Sequence, residues 1–82
     1  MGTEPRVVDA RWLEPPEPMV RVMDALDTLK DDEELLFLLH REPRPLYQIL
    51  IRNGFSYRVA MQPDGCFGVY IRRSGDVQSL EL

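Results

Sequence analysis

The sequence predicts an α/β fold of the α+β kind, a two-layer sandwich with the element order β-α-β-α-β-β. Two segments with helical spacing each follow a short apolar run, and two alternating runs near the C-terminus flank the turn Pro63-Asp64-Gly65. Crossovers between parallel strands are right-handed, so both helices are expected on one face of the sheet. Because the last two strands form a hairpin, we predict a four-stranded mixed sheet of order 1-2-4-3, with strand four antiparallel to its neighbours.

The first half of the chain contains strand one, a proline-rich corner and helix one. Arg6–Ala10 is a short run with two β-branched residues, which favours a strand. The three prolines within residues 15–18 cannot lie inside a helix but suit its first turn. A helix is therefore predicted from about Pro16 to about Leu29. Its apolar residues recur with helical spacing at Met19, Val22, Met23, Leu26 and Leu29.

A second apolar run and a second proline corner follow. Glu34–His40 is apolar at both alternating positions, which is typical of a strand buried on both faces, so we place it centrally. A helix is the alternative because leucine is a weak strand former, but the shortness of the run favours a strand. The corner Arg41–Pro45 leads into helix two, predicted from about Pro43 to Arg52. Asn53-Gly54 is typical of the left-handed end of a helix.

The remaining residues predict a hairpin and two terminal segments. Phe55–Met61 and Cys66–Arg72 both alternate large apolar with small or polar residues, so they are strands three and four. We expect one domain at residues 6–73, with residues 1–5 and 74–82 as flexible or extension segments. The sheet face away from the helices is expected to expose some apolar surface, unless residues 74–82 cover it.

Composition and charge exclude several classes of protein. The net charge is −4, and residues 1–40 carry a net of −6 while residues 41–82 carry +2. An acidic chain is a poor nucleic-acid binder, because that affinity depends on phosphate neutralisation. The apolar run Leu35–Leu39 is too short to span a bilayer, and the N-terminus lacks the pattern of a secretory signal. The single cysteine fits a reducing compartment. We expect a cytoplasmic monomer or weak dimer without nucleic-acid or membrane partners.

Two motifs give the sequence a family resemblance. They are Leu13-Glu14-Pro15-Pro16-Glu17-Pro18-Met19 and His40-Arg41-Glu42-Pro43-Arg44-Pro45-Leu46-Tyr47. Over about residues 6–73, the chain resembles an uncharacterised family of domains related to the sulfur carriers TusA and SirA. Those carriers have a Cys-Pro-x-Pro turn between the first strand and helix one. Pro16 and Pro18 match the two prolines of that turn, and the resemblance implies the same βαβαββ sandwich.

The resemblance does not extend to the residue that carries sulfur. Pro15 occupies the position of the carrier cysteine and has no nucleophile. A carrier needs a thiolate, which a helix N-terminus favours by lowering the pKa of a cysteine. Cys66 lies elsewhere, at the predicted start of strand four, where a cysteine is usually a small buried residue. A sulfur-relay or redox protein that uses Cys66 is nevertheless the alternative function.

The C-terminal ends of strands one to three are expected at one edge of the sheet, together with both helix N-termini. Ligands of open α/β sheets bind at such edges, and helix N-termini suit anions. The candidate binding residues at this edge are Glu14, Glu17, His40, Arg41, Arg44 and Tyr47. The alternative is that these charges pair with one another and only shape the corners. One cysteine and one histidine make a zinc site improbable, so we expect no metal and no cofactor.

These observations favour a small soluble, non-enzymatic domain that binds a protein partner or a small anion at the edge carrying the two proline corners. The resemblance implies a link to sulfur or redox metabolism. The placement of the thiol separates this function from the alternative, because a carrier cysteine should be exposed, with a low pKa and positive surroundings.

Overall fold

The computed structural model describes residues 4–74 and confirms the predicted sandwich. The elements are β1 (Arg6–Asp9), α1 (Glu17–Asp27), β2 (Leu35–Leu39), α2 (Arg44–Arg52), β3 (Phe55–Met61) and β4 (Phe67–Arg73). The sheet order is β1-β2-β4-β3. β1 pairs parallel with β2, and β4 is antiparallel to both of its neighbours, as predicted.

The core lies between the helices and one face of the sheet. Leu35, Phe37 and Leu39 alternate along β2 and are buried, and the register places Ile71 and Val69 of β4 beside the first two. Each helix adds two buried residues at helical spacing, Val22 with Leu26 and Leu46 with Leu50. The apolar periods of the sequence therefore converge on a single core.

The element ends differ from the predictions by one or two residues. α1 ends at Asp27, because the Thr28 and Leu29 N–H groups donate to carbonyls three residues earlier in a tighter last turn. Leu29 lies outside the helix but is still buried. Cys66 precedes β4, because its N–H donates to the Asp64 side chain in the hairpin turn. Gly54 and Gly65 have φ values of 82° and 86°, which explains glycine at both turns.

The sheet face away from the helices carries a short apolar stripe. Leu36 and Leu38 are half-buried, and Val7 is exposed. A Cβ at Gly68 would overlap the Gln62 amide, so glycine allows that side chain to lie against the sheet. Apart from Ser74, the predicted cover at 74–82 lies outside the described residues.

Candidate binding cleft between the two proline corners

The two proline corners meet and enclose an apolar cleft at the C-terminal end of β2. Its volume is about 180 Å³. The floor of the cleft is part of the hydrophobic core, because the buried residues Phe37 and Leu39 of β2 line it. The other lining residues are Leu13, Pro15, Pro16, Pro18, Met19, His40, Arg41, Glu42 and Pro43. The predicted convergence of the two corners at this edge is therefore present, but the enclosed surface is apolar.

Trp12 and His40 join the first corner to the second. The Trp12 backbone N–H donates to His40 Nδ1 at 2.9 Å, and the two rings stack with centroids 5.0 Å apart. Trp12 has a φ of 69°, a conformation that costs a bulky residue about 1–3 kcal/mol unless its surroundings hold it. Because Nδ1 accepts a hydrogen bond, the neutral imidazole carries its proton on Nε2. The Trp12 side chain remains 71% exposed at the rim.

The helix N-termini next to the cleft offer few N–H donors. In α2, the Arg44 and Leu46 N–H groups donate to corner carbonyls at 3.0 and 2.9 Å, and Pro45 between them has none. In α1, the Glu17 N–H donates to a corner carbonyl at 2.9 Å, and Pro18 follows. Anion sites at helix N-termini depend on such groups, so this geometry counts against a small anion held by the backbone.

Of the six predicted binding residues, His40 and Arg41 line the cleft. Arg44 Nε instead donates to Glu42 Oε1 at 3.2 Å. Glu17 pairs with Arg21 one turn later at 3.4 Å. Some of the charged side chains at this edge thus pair with one another. Such pairing was the alternative to ligand binding that the sequence left open for these residues.

Tyr47 and Glu14 lie near the cleft without lining it. The Tyr47 hydroxyl donates to Glu42 Oε2 at 3.2 Å, and its ring stacks on Tyr57 of β3 with centroids 4.6 Å apart. Burial, together with the negative charge of Glu42, raises the pKa of Tyr47 to about 12. Tyr47 therefore packs α2 against the sheet, while the Glu14 side chain is exposed on the first corner.

A second group of side chains at the same edge was not predicted. Arg11 Nε and Nη2 donate to the two Asp9 carboxylate oxygens at 2.9 and 2.7 Å, and Arg11 Nη1 donates to Asp64 Oδ2 at 3.0 Å. These hydrogen bonds lower the pKa of Asp9 to about 2. The hydrogen bond from the Cys66 backbone N–H makes the largest contribution to lowering the pKa of Asp64, and the hydrogen bond from Arg11 lowers this pKa further. This Asp9–Arg11–Asp64 cluster ties the end of β1 to the β3–β4 hairpin.

Cys66 lacks the features expected of a carrier thiol. Cys66 is buried, with only 2% of its surface exposed to solvent. Burial raises the pKa of the thiol, and the neighbouring Asp64 charge raises it further. Both effects disfavour the thiolate. In the described range, 4–74, no three His, Cys, Asp or Glu side chains cluster in a way that could hold a metal ion.

Comparison with known proteins gives a family. A family model described as "Uncharacterized conserved protein (DUF2249)" matches residues 7–73, most of the chain. Searches of the curated proteins and of the solved structures returned no significant match. Within residues 4–74, no helix has the length and apolar character required to cross a membrane. On the strength of the family match, the chain belongs to the conserved DUF2249 family.

Proposed function

We propose that this chain is a non-enzymatic binding domain, whose corner cleft accepts one large apolar side chain of a protein partner. The observation that carries the proposal is the apolar cleft of about 180 Å³ between the two proline corners. A surface concavity with mostly apolar walls and a few polar groups at its rim is the usual form of a binding site.

The size of the cleft suits a single side chain. An apolar cavity of about 150 Å³ is large enough to bind benzene, so this cleft has room for one aromatic ring or branched aliphatic group. The prolines also limit the cost of binding, because their φ angles are fixed before a ligand arrives. An anchor residue in a preformed pocket is the feature that dominates many protein interfaces.

A bare inorganic anion is a poorer ligand for the same cleft. It would lose hydration against apolar walls, and the nearby helix N-termini supply few N–H donors. The proposed ligand is therefore an apolar group, and the charged residues at the rim have a secondary role.

The resemblance to the TusA and SirA sulfur carriers supports a partner in the sulfur or redox metabolism of the cytoplasm. Pro15 lines the cleft at the position that the resemblance gives to the carrier cysteine. A domain that kept the docking surface of a carrier without its thiol would bind such a partner without transferring sulfur. The burial of Cys66 disfavours the alternative of a relay through that thiol.

Blocking the cleft tests this function. Pro15→Cys and Ile51→Cys are prepared and coupled to N-ethylmaleimide; Ile51 is the matched control, because it is 63% exposed on α2 and does not line the cleft. The two modified proteins and the wild type are immobilised and exposed to lysate of the native host. We expect partner proteins to be retained by the wild type and the Ile51 form and lost from the Pro15 form. Equal retention by all three would contradict the proposal.

A further inference from the structure

We infer that the partner segment carries a carboxylate beside its apolar anchor, and that Arg41 binds this carboxylate at the rim of the cleft. This inference rests on the proposed function, because it names the chemistry of the segment that enters the same cleft. The ligand class is a protein segment with an aromatic or large aliphatic side chain flanked by Asp or Glu.

Unlike the other arginines at this edge, Arg41 has no ion-pair partner among residues 4–74, the range that the structure describes. Arg11 is bound by two carboxylates, and Arg44 by one. Arg41 lines the cleft and is exposed, yet in the part of the chain that the structure describes it forms no ion pair. Its guanidinium, with five N–H donors, is therefore available to a ligand.

The acidic residues around the cleft do not cancel this charge. Glu42 also lines the cleft, but it already accepts hydrogen bonds from Arg44 and from the Tyr47 hydroxyl. Glu14 lies on the opposite corner and is not part of the cleft lining. Among the described residues, Arg41 is thus the charged lining residue without a side-chain partner, so the local charge complements an acid.

The backbone offers few N–H donors to a carboxylate. Corner carbonyls and prolines occupy or remove the N–H groups of Glu17 and Pro18 in α1 and of residues 44–46 in α2. His40 supplies a second donor at the rim, because its Nδ1 accepts the Trp12 N–H and Nε2 carries the ring proton. A guanidinium and an imidazole N–H beside an apolar cleft suit an amphipathic acid better than an isolated anion.

Four blocked tripeptides separate the effect of the apolar anchor from the effect of charge. Three contain the anchor, Asp-Phe-Asp, Asn-Phe-Asn and Lys-Phe-Lys, and the fourth, Asp-Gly-Asp, does not. Each is titrated into ¹⁵N-labelled protein, and amide shifts are followed to saturation. We expect all three Phe peptides to shift the amides of the non-proline residues in 13–19 and 37–43. Asp-Phe-Asp should bind about fivefold more tightly than Asn-Phe-Asn, the ratio that an exposed ion pair of about 1 kcal/mol gives. Lys-Phe-Lys should bind most weakly, and Asp-Gly-Asp, which lacks the anchor, should leave these amides unmoved.

Two matched variants assign the charge effect. Arg41→Gln should lower the affinity for Asp-Phe-Asp to that for Asn-Phe-Asn measured on the same variant, and Glu14→Gln should preserve the difference between the two peptides. Raising NaCl from about 0.1 M to about 1 M should also reduce the difference, because the screening length falls from about 10 Å to about 3 Å. Equal affinities for the three Phe peptides, or the same Asp preference in Arg41→Gln, would overturn the inference and leave the apolar cleft standing. Corner amides that respond to none of the Phe peptides would overturn the proposed function itself.

Discussion

The two halves of one sheet edge differ in their side chains: one carries a cluster of paired charges, and the other carries an open apolar cleft. At the end of β1, Arg11 pairs with both Asp9 and Asp64 and ties this half of the edge to the β3–β4 hairpin, where Cys66 is buried. At the end of β2, the corner cleft leaves apolar walls open to solvent and Arg41 unpaired within the described residues. We therefore expect the half with the Asp9–Arg11–Asp64 cluster to contribute to stability and the half with the corner cleft to serve binding.

The largest expected effect is a difference in thiol reactivity between the two halves. Cys66 is buried, whereas a cysteine replacing the exposed Pro15 would face the cleft. If Cys66 reacts only after an opening that costs about 4 kcal/mol, it should react with a disulfide reagent about 1,000-fold more slowly than the thiol of Pro15→Cys. The rates are measured by absorbance in native buffer, with Pro15→Cys studied in a Cys66→Ala background.

Denatured protein provides the control, because both thiols should react at similar rates once the chain is unfolded. A native Cys66 that reacts as fast as the Pro15→Cys thiol would show that the cluster does not close its half of the edge. That result would also restore the sulfur-relay alternative, which requires an accessible thiol.

A smaller effect is expected at the link between the two corners. His40→Ala removes the acceptor of the Trp12 N–H, and the loss should lower the free energy of unfolding by about 1 kcal/mol. It should also weaken binding of the Asn-Phe-Asn peptide, because the first corner would no longer be held against the second. Urea unfolding and the peptide titration measure the two effects. His40→Asn offers a side-chain acceptor of similar reach and should recover part of both losses; a variant that binds the peptide normally would contradict this role.

The smallest effect is the pH dependence of the Asp9–Arg11–Asp64 cluster. The pKa of Asp9 is lowered to about 2 from its ordinary 3.8, so the folded state favours the carboxylate. This contribution is fully present above about pH 4 and is lost as the pH falls through about 2. Since the pair is exposed, Asp9→Asn should cost at most about 1 kcal/mol at neutral pH.

Urea unfolding of the wild type and of Asp9→Asn at several pH values checks this prediction. The stability difference between the two proteins should narrow as the solution is acidified, and peptide binding at neutral pH should be the same in both. A difference that stays constant with pH, or a loss of peptide binding in Asp9→Asn, would break the division between a structural and a binding half.

The sequence predicted the sheet order because the rules behind it are local. The helical periods indicate two crossovers, which are expected to be right-handed, and Pro63-Asp64-Gly65 indicates one hairpin. Together these features leave few possible arrangements of four strands. The same rules placed both proline corners at one edge. The domain boundaries at residues 6 and 73 and the monomeric or weakly dimeric state remain predictions.

The side-chain partners at that edge could not be predicted, because they depend on long-range geometry. Arg11 contacts Asp64, which lies 53 residues further along the chain. Trp12 adopts a positive φ that is stabilised by His40, 28 residues away. The one signal that pointed to Trp12 was its position as the single tryptophan, directly before the first proline motif. The apolar character of the cleft was also missed, because the prediction was based on the charged residues of the two motifs, whereas prolines and core side chains form most of the walls.

The most direct test of the central claim is to locate a bound aromatic ring. Intermolecular NOEs are recorded between the ring protons of the neutral Asn-Phe-Asn peptide and the methyl groups of the protein. We expect NOEs to Leu13, Met19 and Leu39, which line the corner cleft. NOEs confined to Val7 and Leu36 on the opposite sheet face would contradict it.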